Sequence, residues 1–203
     1  MDSSDLYRDI TGAARATPGW LQSAVAWWTS AGIVLFGILF VVLWWRARTA
    51  EPRATAVAVL APLATALAYV VSELVKSTVD EERPCRAVAG AAASLIPCPP
   101  YGDWSFPSNH SAIAGAAAVA LALVAPRLGL LTVPLALLMA FSRVFLGVHY
   151  PHDVAMGLLL GGSVAPLVVL ALTGPTSTLI RTMRGSGSRP AVWFAGPGPA
   201  RHG

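Results

Sequence analysis

The chain has 203 residues, 55% of them hydrophobic and only 12% charged, and its mean hydropathy is +0.62. That balance excludes an ordinary soluble domain and fits a polytopic membrane protein. The formal charge of +4 comes from 14 basic residues against 10 acidic ones, and no stripe of basic and aromatic residues suggests a nucleic-acid partner.

Residues 1–19 are too polar for a bilayer core, and Leu6, Ile10 and Ala13 or Ala14 recur at helical spacing before the break at Pro18-Gly19. This predicts a short interfacial helix. No basic n-region precedes a short apolar core, so no cleaved signal peptide is expected and the first span serves as its own insertion signal. That span runs from Trp20 to Trp45, with Trp27-Trp28 and Trp44-Trp45 separated by about 25 Å of helix, close to the distance between two aromatic belts. Further apolar segments cover Ala54 to Val75, Ser111 to Val124, Leu128 to Val148 and Val154 to Leu172. The fold class expected is all-α, a membrane bundle of about five transmembrane helices plus the N-terminal interfacial helix. Residues 1–184 form the membrane domain, and the Gly-, Pro- and Ser-rich 185–203 segment reads as a disordered tail.

Arginine collects in the first loop (Arg46, Arg48, Arg53), at Arg127 and in the tail (Arg181, Arg184, Arg189, Arg201). In a five-span chain these regions share one face, which the positive-inside bias makes cytoplasmic. The N-terminus, the Lys76 to Asn109 loop and the His149 to Asp153 turn then face outside. Cys85 and Cys98 lie in that outer loop, too few for a metal cluster and open to two readings, free thiols or one disulfide. A bridge there would close a short loop, stabilise it by about 3 kcal/mol and hold Arg83 near the pocket mouth.

Three stretches carry polar chemistry that an oily chain tolerates at a cost. Ser142 to Asp153 delivers Arg143, His149, His152 and Asp153 just before an apolar segment opens. Pro151 suits the first turn of a helix, and His149 and Asp153, four apart, come near one face, where a carboxylate fixes an imidazole tautomer and strengthens a nucleophile. The bland alternative is interfacial histidines with an Asp at a helix start. Lys76 ends the second span and Arg83-Pro84 follows; Lys76 alone could snorkel or pair with Glu73, and Arg83 could pair with Glu81 or Glu82. His110 falls in the first turn of the third span, with Ser108 or Asn109 a natural N-cap, where free backbone N–H groups attract an anion. Together, Lys76, Arg83 and Arg143 can surround a phosphate, His149 backed by Asp153 is a nucleophile, and His110 is a proton donor to a leaving oxygen. No His, Cys, Asp or Glu set has the spacing of a metal site, so no cofactor is expected.

Lys76-x6-Arg83-Pro84, Pro107-Ser-Asn-His110 and Ser142-Arg143-x5-His149-x3-Asp153 resemble the three-part signature of the type 2 phosphatidic acid phosphatase family, membrane relatives of vanadium haloperoxidases. The resemblance spans residues 76 to 153. It implies that His149 forms a phosphohistidine with Asp153 orienting it and His110 as acid, that Lys76, Arg83, Ser108, Asn109 and Arg143 hold phosphate, and that no metal is needed. Two departures stand out. The family usually has Gly where this chain has Asn109, and it commonly has six spans, the first of which is here replaced by the polar 1–19 segment.

The expected function is hydrolysis of a terminal phosphate from a lipid phosphate or diphosphate, with undecaprenyl or another polyprenyl diphosphate, recycled for cell-wall synthesis, as the leading substrate. Phosphatidylglycerol phosphate, phosphatidic acid and a polyprenyl-phosphoribose phosphate are the alternatives within that class. A vanadate-holding haloperoxidase would need no bilayer span, and a non-enzymatic lipid-phosphate binding or transport protein would not need nucleophile, orienting Asp and acid together. The expected partners are the lipid substrate and the plasma-membrane bilayer, with the N-terminus and active site outside and the C-terminus cytoplasmic; the sequence leaves the oligomeric state open.

Overall fold

The computed structural model describes residues 3–199. Eight α-helices run in chain order: α1 (Ser4–Ala16), α2 (Gly19–Ala47), α3 (Pro52–Lys76), α4 (Pro84–Ala87), α5 (Asn109–Val124), α6 (Gly129–Phe145), α7 (Pro151–Gly185) and α8 (Arg189–Ala195), with a 3₁₀ turn at Pro126–Leu128. No strand occurs among the described residues. Four segments are long and apolar enough to cross a bilayer, namely α2, α3, the turn with α6, and α7. The remaining expected span, α5, is shorter at 16 residues, about 24 Å of helix. It is also the most enclosed, with α7, α6 and α3 packed around it.

The closeness of α5 and α7 follows from small residues. α5 is a run of Ala and Gly, and α7 meets it with Gly157 and Gly161, a small-xxx-small pair of the kind that lets membrane helices touch backbone to backbone. A Cβ on Gly161 would lie 1.9 Å from the Ala112 carbonyl oxygen, and one on Gly157 would lie 2.5 Å from that of Ser108. From the other side, a Cβ on Gly115 would meet the Leu158 carbonyl at 2.6 Å. Ser108 N–H also donates to the Asp153 carbonyl at 3.1 Å, so the first turns of α5 and α7 are tied together.

Helix α1 forms as expected, and its inner face keeps Ile10 and Ala14 of the expected residues but not Leu6. Tyr7, Thr11 and Ala14 are buried, while Leu6 points outward. A hydrogen bond decides the register: Tyr7 Oη donates to the Gly147 carbonyl at 2.9 Å, pinning α1 to the turn between α6 and α7. Burial, and then the neighbouring Tyr150, push the Tyr7 phenol up to about 12, so it remains a donor. Gly147 itself takes φ +81°, a left-handed turn that lets the chain leave α6 and present His149 inward.

Part of the expected tail is helical. Residues 189–195 form α8, and α7 continues past Leu172 to Gly185. Trp193 and Phe194 pack on Trp44 with ring centroids 5.6 and 5.7 Å away. Arg184 donates to the Ala195, Arg48 and Ala50 carbonyls, gathering the ends of α2 and α7 with the tail. The Gly/Pro composition concealed two aromatic anchors and an arginine clamp that stabilise order there. Residues 1–2 and 200–203 lie outside the described part of the chain.

Gly161→Ala should therefore lower the thermal midpoint of the detergent-purified protein, since forcing a methyl against backbone costs about 1–3 kcal/mol or more. Gly174→Ala, in the same helix with nothing within 4 Å of its Cβ position, should leave the midpoint unchanged. Equal midpoints for both variants would contradict the close α5–α7 contact.

Candidate active site

One end of the bundle gathers the C-termini of α3 and α6, the N-termini of α5 and α7, and the loop from Ser77 to Ser108. These bring Lys76, Arg83, His110, Arg143, His149 and Asp153 together, although up to 77 positions separate them in sequence (153 − 76). His149 is 2% exposed and Asp153 is completely buried. His149 Nδ1 faces Asp153 Oδ2 at 3.3 Å, and its Nε2 faces Arg83 Nη1 at 2.9 Å. A guanidinium only donates, so Nε2 is the acceptor and the ring proton resides on Nδ1, toward the carboxylate. The result is a neutral imidazole whose lone pair is aimed into the cationic cluster. Burial, and then the charges of Arg83, Arg143 and Lys76, hold the His149 imidazole well below its ordinary value, which favours this neutral form.

Asp153 is itself fixed. Its Oδ2 accepts from Ser105 Oγ and from the Tyr150 backbone N–H at 2.7 Å, closing the first turn of α7. Ser105, fully buried and 3.5 Å from His149 Nδ1, is a positioning residue that the sequence reading did not single out. Its only signal there was its place in the loop two residues after Asp103.

Three cations define the cluster. Arg83, 3% exposed, spends its Nε on the Asp103 carbonyl (2.8 Å) and its Nη1 on the Val148 carbonyl (3.0 Å) as well as on His149. Its ion partner is Asp103, with Nη2 to Oδ1 at 2.7 Å, and neither Glu81 nor Glu82, the pairs that the bland reading offered. Lys76 lies between Glu73 (3.6 Å) and the same Asp103 oxygen (3.5 Å). Burial raises and the Arg83 hydrogen bond lowers the Asp103 carboxyl; with the charges of Arg83 and Lys76 added, it settles below its usual value. Arg143, 7% exposed, has one neutral partner, Thr29 Oγ1 at 3.1 Å, while its Nε has none among the described residues. A buried guanidinium without a carboxylate is expensive, and an anion would complete it. His110, on the first turn of α5, is within electrostatic reach of Arg143, His149, Lys76 and Arg83.

Asn109 turns away from the imidazoles toward α3. Its side chain meets Ser72 Oγ at 2.7 Å and the Glu73 carboxylate, so it anchors Glu73 beside Lys76. Ser108 is the N-cap residue of α5 without a side-chain cap; Ser111 Oγ donates to its hydroxyl at 3.1 Å. Cys85 and Cys98 are joined by a disulfide with Cα atoms 6.1 Å apart. The bridge lies in the loop that carries Arg83 and Asp103. Glu81, His152 and Asp153 place three ligand-type atoms within 4.8 Å of one another, a cluster hidden by 71 residues of separation. These groups satisfy one another in part, since His152 Nε2 meets Glu81 Oε1 at 2.9 Å and its Nδ1 meets Ser3 Oγ at 2.7 Å.

The family model of the PAP2 superfamily matches residues 57–176, the stretch that holds Lys76, Arg83, His110, Arg143, His149 and Asp153. The chain belongs to the PAP2 superfamily. As a PAP2 chain it is 35% identical over 120 residues to undecaprenyl-diphosphatase of Sulfolobus acidocaldarius, and 30% identical over 161 residues to undecaprenyl-diphosphatase BcrC of Bacillus subtilis. It is also 38% identical over 104 residues to decaprenylphosphoryl-5-phosphoribose phosphatase of Mycobacterium tuberculosis. The alignments take in 58%, 79% and 50% of this chain and 57%, 77% and 54% of those proteins, so the chain spans little more than half the length of two of these relatives. Among solved structures, Aquifex aeolicus LpxE superposes with a TM-score of 0.64 at 25% identity, covering 82% of this chain and 93% of that one. A Bacillus subtilis PAP2-type phosphatidylglycerolphosphate phosphatase superposes with a TM-score of 0.60 at 24% identity, covering 81% and 83%, and supports the same helical architecture.

The buried neutral imidazole gives a pH dependence of stability. In the unfolded chain His149 takes up a proton near pH ~6.5, whereas the folded site keeps it neutral to much lower pH. Below about 6.5 the unfolded state therefore binds the extra proton and stability falls with falling pH; above it the group contributes no slope. His149→Gln should flatten the decline in thermal midpoint between pH ~6.5 and ~5, measured in detergent against the wild type.

Proposed function

We propose that the protein is a metal-independent membrane lipid phosphatase that removes a terminal phosphate through a phosphohistidine. The observation that carries this reading is the buried pair of His149 and Asp153 aimed into a cluster of Lys76, Arg83 and Arg143, the last of which has no carboxylate partner among the described residues. The terminal phosphate lies among the three cations, with the backbone N–H groups at the start of α5 adding donors. His149 Nε2 forms a bond to phosphorus as the bond to the leaving oxygen breaks, and His110 gives that oxygen its proton. Asp153 holds Nδ1–H and offsets the charge developing on the ring. Arg83, which donates to Nε2, shifts its N–H to a phosphoryl oxygen. Water then attacks the phosphohistidine, His110 takes its proton, and inorganic phosphate leaves.

Undecaprenyl or another polyprenyl diphosphate, converted to the monophosphate, is the substrate best supported by the named relatives. The mycobacterial relative supports a second substrate, a polyprenyl-phosphoribose phosphate. The polar wall of Ser72, Glu73 and Asn109 beside His110 offers hydrogen bonds that a sugar hydroxyl would use. Phosphate release from a panel of purified lipid phosphates separates the two. His149→Ala should abolish turnover by several orders of magnitude in that assay, wild-type activity should persist in excess EDTA, and vanadate should inhibit. Near-normal hydrolysis by His149→Ala, or loss on chelation restored by Mg²⁺ or Zn²⁺, would sink the mechanism.

The site faces the outside of the plasma membrane, with the N-terminus outside and the C-terminus in the cytoplasm. Arg46, Arg48, Arg53, Arg127 and Arg184 collect at the bundle end opposite His149, which supports this orientation through the positive-inside bias. In intact cells a membrane-impermeant maleimide should label Cys85 and Cys98 only after reduction. Labelling that requires opening the membrane would place the loop inside and remove the case for an outward-facing enzyme.

A further inference from the structure

The cations assigned to phosphate are not all waiting for it. Asp103 Oδ1 already bridges two of them, Arg83 Nη2 at 2.7 Å and Lys76 Nζ at 3.5 Å, while Arg83 keeps its Nη1 on His149. The carboxylate thus occupies the side of the cluster that a phosphoryl oxygen would take. It is free to leave, because the Asp103 side chain is 45% exposed. Its backbone is not: Asp103 N–H donates to the Pro100 carbonyl at 3.2 Å, its own carbonyl accepts from Arg83 Nε at 2.8 Å, and two residues on, Ser105 N–H donates to the Glu81 carbonyl at 2.8 Å. Arg86 braces the same turn through the Pro99 carbonyl and by lying 4.4 Å over the Tyr101 ring. Rotation of one side chain can therefore vacate the seat while the Asp103 carbonyl still holds the Arg83 guanidinium in place.

We infer that Asp103 is the resident anion of the phosphate seat and acts as a charge filter, yielding to a doubly charged terminal phosphate but not to a singly charged phosphodiester. This rests on the phosphate-site reading above. Exchanging one carboxylate charge for the single charge of a diester gains no Coulomb energy against Lys76 and Arg83. A terminal phosphate brings a charge of about −1.5 to −2 and three acceptor oxygens, enough to engage Arg83, Lys76 and Arg143, whose partner among the described residues is the neutral Thr29, together. A bilayer presents phosphodiester headgroups in large excess over lipid phosphates, and a seat of bare cations would be filled by them. The filter removes that competition at the cost of some affinity for the true substrate.

The test uses the full chain in detergent with soluble probes, methyl phosphate as the monoester and dimethyl phosphate as the diester, titrated by calorimetry. Wild type should bind methyl phosphate and leave dimethyl phosphate unbound. Asp103→Asn, which keeps a hydrogen-bonding oxygen without the charge, and Asp103→Ala should bind methyl phosphate about tenfold more tightly or better and should also bind dimethyl phosphate. Phosphatidylglycerol added to mixed micelles should then inhibit phosphate release by the variants and not by wild type. Wild-type binding of dimethyl phosphate as tight as that of methyl phosphate overturns the filter without recourse to any variant. Unchanged or weaker methyl phosphate binding in Asp103→Asn, at an unchanged thermal midpoint, also overturns it and leaves Asp103 as a prop for Arg83, with the phosphate seat intact. Absence of methyl phosphate binding in wild type and both variants would remove the phosphate seat and the filter together.

Discussion

Everything at the polar end of this bundle depends on how closely α7 lies on α5. Gly157 and Gly161 bring the α7 backbone against the carbonyls of Ser108 and Ala112. That contact fixes the spacing between the turn that carries His110 and the one that carries Asp153. In lipid, apolar side chains gain little by leaving tails for one another, so van der Waals contact between small residues is the available source of tight association. The Ala-rich α5 supplies that surface on several sides, which explains how a helix only 16 residues long can sit at the centre of longer ones. A bulkier core would have held the helices apart and with them the imidazoles.

On that frame the protein keeps an electrostatic imbalance. Lys76, Arg83 and Arg143 are each less than a tenth exposed, yet their nearest carboxylates, Glu73 and Asp103, lie at the mouth and are nearly half exposed. Asp153, fully buried, is turned toward His149, Ser105 and the Tyr150 N–H. The interior therefore has positive charge where a phosphate would sit and negative charge behind the imidazole. This separation favours a neutral His149 and leaves a carboxylate beside its Nδ1. A buried pair neutralised within itself would be more stable and would offer an anion nothing.

The parts legible from sequence were those whose cost in an oily chain makes them conspicuous. Lys76, Arg83, Arg143, His110, His149 and Asp153 stand out because ionisable groups are rare near membrane spans, and the four-residue step from His149 to Asp153 anticipates their 3.3 Å contact. Less legible were residues whose role depends on a non-local partner. Ser105 and Asp103 look like ordinary loop polars until the chain folds Asp153 over one and Arg83 over the other. On α1 the hydrophobic spacing found Ile10 and Ala14 but also favoured Leu6, whereas a hydrogen bond across 140 residues chose Tyr7. The order of α8 was missed because composition registers Gly and Pro but not the stacking of Trp193 on Trp44.

The Ser77 to Ser108 loop shows why such non-local partners matter here. Arg83 must reach His149, 66 positions away, and it does so from a segment with little regular structure beyond α4. The chain compensates with several independent ties: the Cys85–Cys98 bridge, Arg86 on Glu82 and Pro99, and the Ser105 N–H on the Glu81 carbonyl. Each removes conformational freedom that the guanidinium would otherwise have to lose on meeting an anion. The loop that positions Arg83 is thus held by covalent, ionic and hydrogen-bonded ties at several points, and the exposed carboxylates of Glu73 and Asp103 lie beside it at the mouth.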